Sequence, residues 1–139
     1  MSPHIALLGC GFWGKNLARN LHELGALKMI YDPSDAGQNK ARKMAPGVDV
    51  APDFKEAFLN EDIKGVAIAT PAETHFELAR RALEAGKDVF VEKPLALNVA
   101  EGQCLCQLAR QQDRILMVGH LLEYHPAVEH LKGMTEKGE

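Results

Sequence analysis

Short apolar runs alternate along the chain with longer stretches in which apolar residues recur at three- and four-residue spacing. The runs predict strands at Ile5–Gly9, Lys28–Tyr31, Val48–Val50, Gly65–Ala69, Val89–Val91 and Ile115–Val118. Between them, helices are predicted at Trp13–Glu23, Ser34–Met44, Asp53–Leu59, Thr74–Ala85 and Val99–Gln112, with a last one at Pro126–Lys137. Phe76, Ala79 and Leu83 share one helical face, while Glu77, Arg80, Arg81 and Glu84 fill the wet one. Gly25, Gly47 and Gly86 punctuate helix or loop ends. The strands show little polar alternation, which is how a parallel sheet covered on both faces reads. Six strands joined by right-handed helical crossovers give an α/β, doubly wound sheet of order 3-2-1-4-5-6.

In such a sheet, ligands lie beyond the carboxyl ends of the strands, where the order reverses. Candidate chemistry therefore sits just after each strand. Strand one is followed by Gly9-Cys10-Gly11-Phe12-Trp13-Gly14, strand two by Asp32, strand four by Thr70-Pro71, strand five by Glu92-Lys93-Pro94 and strand six by Gly119-His120. Glycine loop, helix and acid in that order are the parts of a dinucleotide site. Gly9 serves the tight exit from the strand, Gly11 the approach of backbone to a pyrophosphate, and Gly14 the close packing of helix on strand. Phe12 and Trp13 complete the loop. The phosphates would rest on free N–H groups at the helix start. Asp32 lies 18 positions beyond Gly14 and is placed to accept the adenosine ribose hydroxyls. It would repel a 2′-phosphate, so NAD is expected over NADP. Asp32-Pro33-Ser34 is also a good turn and helix cap, and Asp35 competes for the acidic role, although its place inside a helix start suits capping.

Pro71 stops strand four, and Thr74 with Glu77 predicts a capping box for the helix that follows. Thr70 and Pro71 face the glycine loop and are candidate coenzyme contacts. His75, in the first turn, is either such a contact or a structural hydrogen bonder. Pro94 biases Lys93 toward an extended conformation and so fixes where the lysine points. Over the cleft, Lys93 could take or orient the proton of a hydroxyl undergoing oxidation. Otherwise it is a solvated lysine paired with Glu92.

Composition narrows the classes. The 139 residues suit one domain, 1–139, large enough to bury ~68–70% of its unfolded surface. Hydrophobic residues make up 46% and charged residues 25%, with a net charge of −3, so a nucleic-acid footprint is not expected. No apolar stretch approaches a membrane span and the N-terminus lacks a signal pattern, so no membrane partner is expected. Cys10, Cys104 and Cys106 are an odd set, read as buried thiols of a reducing cytosol, with no metal site. There is no repeat and no low-complexity segment.

The segments Gly9–Gly14 with Asp32, Ala69-Thr70-Pro71 with His75, and Glu92-Lys93-Pro94 followed by Leu95-Ala96 resemble the Gfo/Idh/MocA oxidoreductases over nearly the whole chain. The resemblance implies the Rossmann domain of an NAD(P)-dependent sugar or cyclitol dehydrogenase, with Lys93 assisting proton transfer or orienting substrate. It also implies cytoplasmic location, oligomeric parents and a second, substrate-binding domain that is absent here. Residues 124–139 would then be a linker helix toward that domain, and the piece alone would bind NAD without efficient turnover. Gly11-Phe12-Trp13-Gly14-Lys15-Asn16 and His120-Leu121-Leu122-Glu123-Tyr124-His125-Pro126 look most like the branch acting on UDP-linked N-acetylated amino sugars at the 3-hydroxyl. Better-known members carry a Tyr-Asn-Arg-Arg type of run where this chain has Leu121 and Leu122. His120, Glu123 and His125 are candidate contacts near the nicotinamide, the substrate being a small-molecule nucleotide sugar. The rival readings are a stand-alone NAD(H)-sensing module, an S-adenosylmethionine-dependent methyltransferase with a similar glycine loop, and an inert interaction domain.

Overall fold

The computed structural model describes residues 4–138, so residues 1–3 and 139 of the expected 1–139 domain and 124–139 linker lie outside the described residues. Six parallel strands, β1 (Ile5–Leu8), β2 (Leu27–Tyr31), β3 (Asp49–Val50), β4 (Gly65–Ile68), β5 (Asp88–Val91) and β6 (Leu116–Val118), form one sheet of order β3-β2-β1-β4-β5-β6. The helices are α1 (Gly14–Glu23), α2 (Asp35–Met44), α3 (Glu56–Leu59), α4 (His75–Glu84), α5 (Val99–Gln111) and α6 (Pro126–Lys137). Order and crossovers are those of the expected Rossmann fold. Most element boundaries move by one residue, because Trp13, Ser34 and Thr74 flank their helices as cap positions instead of joining them. Helix α3 is shorter than expected, since Asp53–Lys55 form a turn before it.

Side chains alternate across the strands and build two cores. Ala6, Leu8, Val66, Ile68, Val89 and Val91 pack against Phe58 of α3, Ala79 and Leu83 of α4, and Leu105 and Ala109 of α5. Leu7, Ile30 and Ala67 face the other way, against Ala18 of α1 and Ala41 of α2. Burial of this apolar surface is the main force holding the layers together.

Two expectations fail. The sheet is not covered on both faces throughout: Ile5, Ala67, Phe90 and Met117 line an apolar groove beside Leu17 and Leu21, and Ile115 and Met117 are exposed. The reason is the distribution of crossovers, since α4 and α5 both lie on the first core's face, while α6 packs chiefly on the 121–124 turn. Cys104 and Cys106 are exposed and only Cys10 is buried. Helix α5 buries the stripe Leu105 and Ala109, and both cysteines flank it.

Lys87 is among the few buried charged side chains, and its Nζ donates to the carbonyls of Asn60 and Ile63, 2.8 Å from each. This bond set lies at the amino end of β5, away from the loops that follow the strands, and burial pushes the lysine pKa down.

A glycine of α2 holds the site's second loop in place. A Cβ on Gly37 would run into the Asp32 carboxylate, so this turn of helix can lie against the end of β2 only without a side chain. Gly37→Ala is therefore expected to cost about 3 kcal/mol, read as a lower urea midpoint at unchanged slope.

Candidate coenzyme site

The chain leaves β1 through a left-handed turn at Gly9, φ +90°, where a Cβ would lie 2.7 Å from the Ala69 carbonyl oxygen. A Cβ on Gly14 would collide with the Gly9 carbonyl, so α1 starts as close to β1 as two backbones allow. Gly11 differs: nothing lies within 4 Å of its missing Cβ, and the space above it is open. No side chain caps the start of α1. Open space over a glycine and uncapped N–H groups at a helix start are what a pyrophosphate needs. On these observations the residues fit a dinucleotide.

The loop separates two recesses at the carboxyl edge. One is lined by Gly9, Gly11, Asp32, Pro33, Thr70 and Pro71, with Phe54 and Arg81 at its far wall. The other is lined by Phe12, Trp13, Glu92, Lys93, Gly119 and His120, with Leu121, Leu122 and Glu123 beyond. All the candidate coenzyme residues except His75 and Gly14 thus border one recess or the other, and those two sit directly behind. His125 caps α6 with its ring Nδ1 and does not border either recess.

Asp32 is 6% exposed and already well bonded. Its Oδ2 accepts the Cys10 N–H at 2.7 Å, and its Oδ1 accepts the Ser34 N–H at 2.9 Å and the Ser34 hydroxyl at 2.7 Å. Ser34 in turn accepts the Gly37 N–H, so it is Ser34 and not Asp35 that caps α2. The carboxylate therefore ties the glycine loop to the turn after β2 while still facing the first recess. Burial acts to raise the Asp32 pKa, but the donors Cys10 and Ser34, aided by the Lys40 charge, outweigh it and hold the group below its ordinary value. Burial, together with the Asp32 charge, pushes the Cys10 thiol up, which keeps it protonated and unreactive.

After β4 the expected capping box does not form. Ala72–Thr74 make a 3₁₀ turn, the Thr74 hydroxyl donates to the Pro71 carbonyl at 2.7 Å, and Thr70 bonds Thr74 at 2.7 Å. With Thr74 so engaged, Glu77 turns to Arg80, 2.9 Å away. His75 is 1% exposed and lies between two loops, Nδ1 2.7 Å from the Pro94 carbonyl and Nε2 2.9 Å from the Thr70 carbonyl. It fastens the segment after β4 to the segment after β5.

Glu92 and Lys93 part company at once. Glu92 is 6% exposed, and its Oε1 accepts the Trp13 indole N–H. Gly119 makes the space: a Cβ there would lie 3.0 Å from Oε1 and 3.1 Å from Oε2. Lys93 is exposed on the second recess, does not pair with Glu92, and joins Pro94 through a cis bond. Gly37 and Gly119 are the two site residues whose roles the sequence reading missed. Each was marked by a glycine where the pattern gave no turn to explain it, inside a helix for the one and directly after a strand for the other.

Residues 4–120 match the model of the Gfo/Idh/MocA family, described as an oxidoreductase family with an NAD-binding Rossmann fold. The chain belongs to that family and carries its NAD-binding Rossmann fold. Among curated relatives, the 2,7-anhydro-N-acetylneuraminate hydratase of Mediterraneibacter gnavus is 30% identical over 96% of this chain and 35% of its own length. The UDP-N-acetylglucosamine 3-dehydrogenase of Acidithiobacillus ferrooxidans is 28% identical over 91% of this chain and 39% of its own. Among solved structures, scyllo-inositol dehydrogenase of Lactobacillus casei, with NAD(H) and scyllo-inositol bound, superposes with a TM-score of 0.87 at 25% identity, covering 99% of this chain and 42% of that one. The chain therefore spans well under half of the length of these relatives. Among the described residues, no helix is long and apolar enough to cross a membrane and no cluster of His, Cys, Asp and Glu could hold a metal ion.

Because its folded pKa is lowered, Asp32 contributes stability that is present above its unfolded pKa of about 3.9 and lost as pH falls through the folded value. Asp32→Asn is expected to flatten the acid limb of the stability curve below about pH 4, measured by urea melts from about pH 6 to about pH 2.5.

Proposed function

We propose that this chain is the coenzyme-binding part of an oxidoreductase that moves a hydride between a sugar or nucleotide-sugar hydroxyl and NAD. One observation carries the reading: the glycine loop, with its open face at Gly11, stands between two recesses that the ends of β2 and β4 and of β5 and β6 provide. A dinucleotide laid across that loop puts its adenosine half beside Asp32 and its nicotinamide half beside Trp13, Glu92 and Lys93. Gly9 and Gly14 shape the loop, Phe12 and Trp13 wall the second recess, and Thr70 and Pro71 border the first. His75 acts through the loops it joins, and His120 closes the outer edge. Asp32 favours NAD over NADP, since a 2′-phosphate would meet a second negative charge.

The bound coenzyme supplies the hydride acceptor. Oxidation of a secondary alcohol sends the hydride from carbon to that acceptor and the hydroxyl proton to a base, leaving a ketone. Lys93 is the group at the second recess able to hold or orient that proton, and the carbonyl of the next residue, Pro94, is held by His75. The narrower assignment, to a UDP-N-acetyl amino sugar oxidised at its 3-hydroxyl, is supported by the likeness to a UDP-N-acetylglucosamine 3-dehydrogenase. Cytoplasmic location, an oligomeric parent and substrate contacts supplied by a further domain belong to the same proposal.

Calorimetric titration tests it. The chain is expected to bind NAD more tightly than NADP and to ignore S-adenosylmethionine. Gly11→Ala should weaken NAD about tenfold or more while leaving the urea midpoint unchanged, since its Cβ meets only the ligand. Lys93→Met should leave NAD affinity within about threefold, because the lysine serves the substrate. Unaltered NAD affinity in Gly11→Ala would contradict the assigned pyrophosphate position.

A further inference from the structure

Glu92 is an anomaly in charge terms. The residue is buried, yet no ion pair of the described residues includes it. Its one hydrogen-bond donor is the neutral indole N–H of Trp13, which holds Oε1. Oε2 accepts no hydrogen bond among the described residues and is not sealed off, and Glu92 lines the second recess. Buried charges are costly unless a partner neutralises them. Here the protein has fixed the carboxylate in place, and among the described residues no cation pairs with it.

We propose that the missing cation is the oxidised nicotinamide ring, so that Glu92 makes this site prefer the oxidised coenzyme over the reduced one. The inference rests on the reading above that the nicotinamide half occupies the Trp13–Glu92–Gly119 recess. The two coenzyme forms share every phosphate, ribose and amide, and differ in that the oxidised ring carries a positive charge and the reduced ring none. A nearby carboxylate therefore separates them by electrostatics alone. Lys93 borders the same recess with the opposite charge, but it is exposed and screened by water, whereas the Glu92 field acts through protein. His120 is exposed as well. Trp13 and Gly119 are positioning residues: the indole prevents the carboxylate from swinging out to solvent, and the absent Cβ leaves it room. By linkage, whatever factor separates the two affinities also shifts the redox equilibrium of the bound coenzyme toward the oxidised form.

The test is the ratio of dissociation constants for NADH and NAD⁺, measured by calorimetry on this chain at one ionic strength. Glu92→Gln keeps the shape and a carbonyl acceptor for Trp13 but removes the charge. The ratio is expected to fall about fivefold or more, mainly through weaker NAD⁺ binding. Trp13→Phe leaves the charge but frees it, and should lower the ratio at least about twofold; this variant decides the matter if circular dichroism shows Glu92→Gln unfolded. A ratio within about twofold of wild type in folded Glu92→Gln, with both forms still binding, overturns this inference and leaves the coenzyme site standing. Failure of the wild-type chain to bind either form removes the coenzyme site, and this inference with it.

Discussion

The close passage of the chain from β1 into α1 is the constraint on which the rest of the carboxyl edge depends. Gly9 turns left-handed against the Ala69 carbonyl, and Gly14 brings the helix start onto the Gly9 carbonyl. Neither position admits a side chain, so the loop between them has little freedom. The Cys10 N–H, delivered by that turn, meets the Asp32 carboxylate from the next strand. Trp13, at the far end of the same loop, reaches Glu92 two strands away in the other direction. One tight turn thereby places a donor on each side of the point where the strand order reverses.

The loops around the edge are tied by polar contacts more than by apolar ones. Asp32 joins the glycine loop to the turn after β2, His75 joins the segments after β4 and β5, and Glu92 joins the glycine loop to β5 under the cover of Gly119. Each buried polar group has partners in its neighbour's backbone or side chain, which is the condition under which burial rigidifies instead of destabilising. A site of this kind is preorganised on rigid strand ends. Lys93 is the exception, exposed and, among the described residues, without an ion-pair partner between two anchored neighbours.

Much of this was legible in the residues. Apolar runs, the helical spacing of Ala79 and Leu83, and the glycine loop between a strand and a helix pointed to the strand order that the sheet shows and to the edge where the candidate residues gather. What escaped was set by contacts between distant segments. Thr74 and Glu77 satisfy the capping-box spacing, but the Thr74 hydroxyl is taken by Pro71 and Thr70, a competition that local sequence does not display. Cys104 and Cys106 look like ordinary core thiols until α5 chooses Leu105 and Ala109 as its buried stripe. The sheet's uncovered half follows from both later crossovers taking one face. The Trp13–Glu92 bond spans 79 positions, and no periodicity announces it. Gly37 stands inside a helix, where glycine costs about 1 kcal/mol against alanine, and the packing reason is the Asp32 carboxylate lying against it.

Amide chemical shifts followed by NMR during NAD addition test the coenzyme's placement most directly. The structure requires the largest changes at Gly11, Phe12 and Trp13, with further ones at Thr70 and Gly119, and none along the apolar groove at Ile5 and Met117. Saturating NAD that left the glycine-loop amides unmoved, or that moved the groove instead, would contradict it.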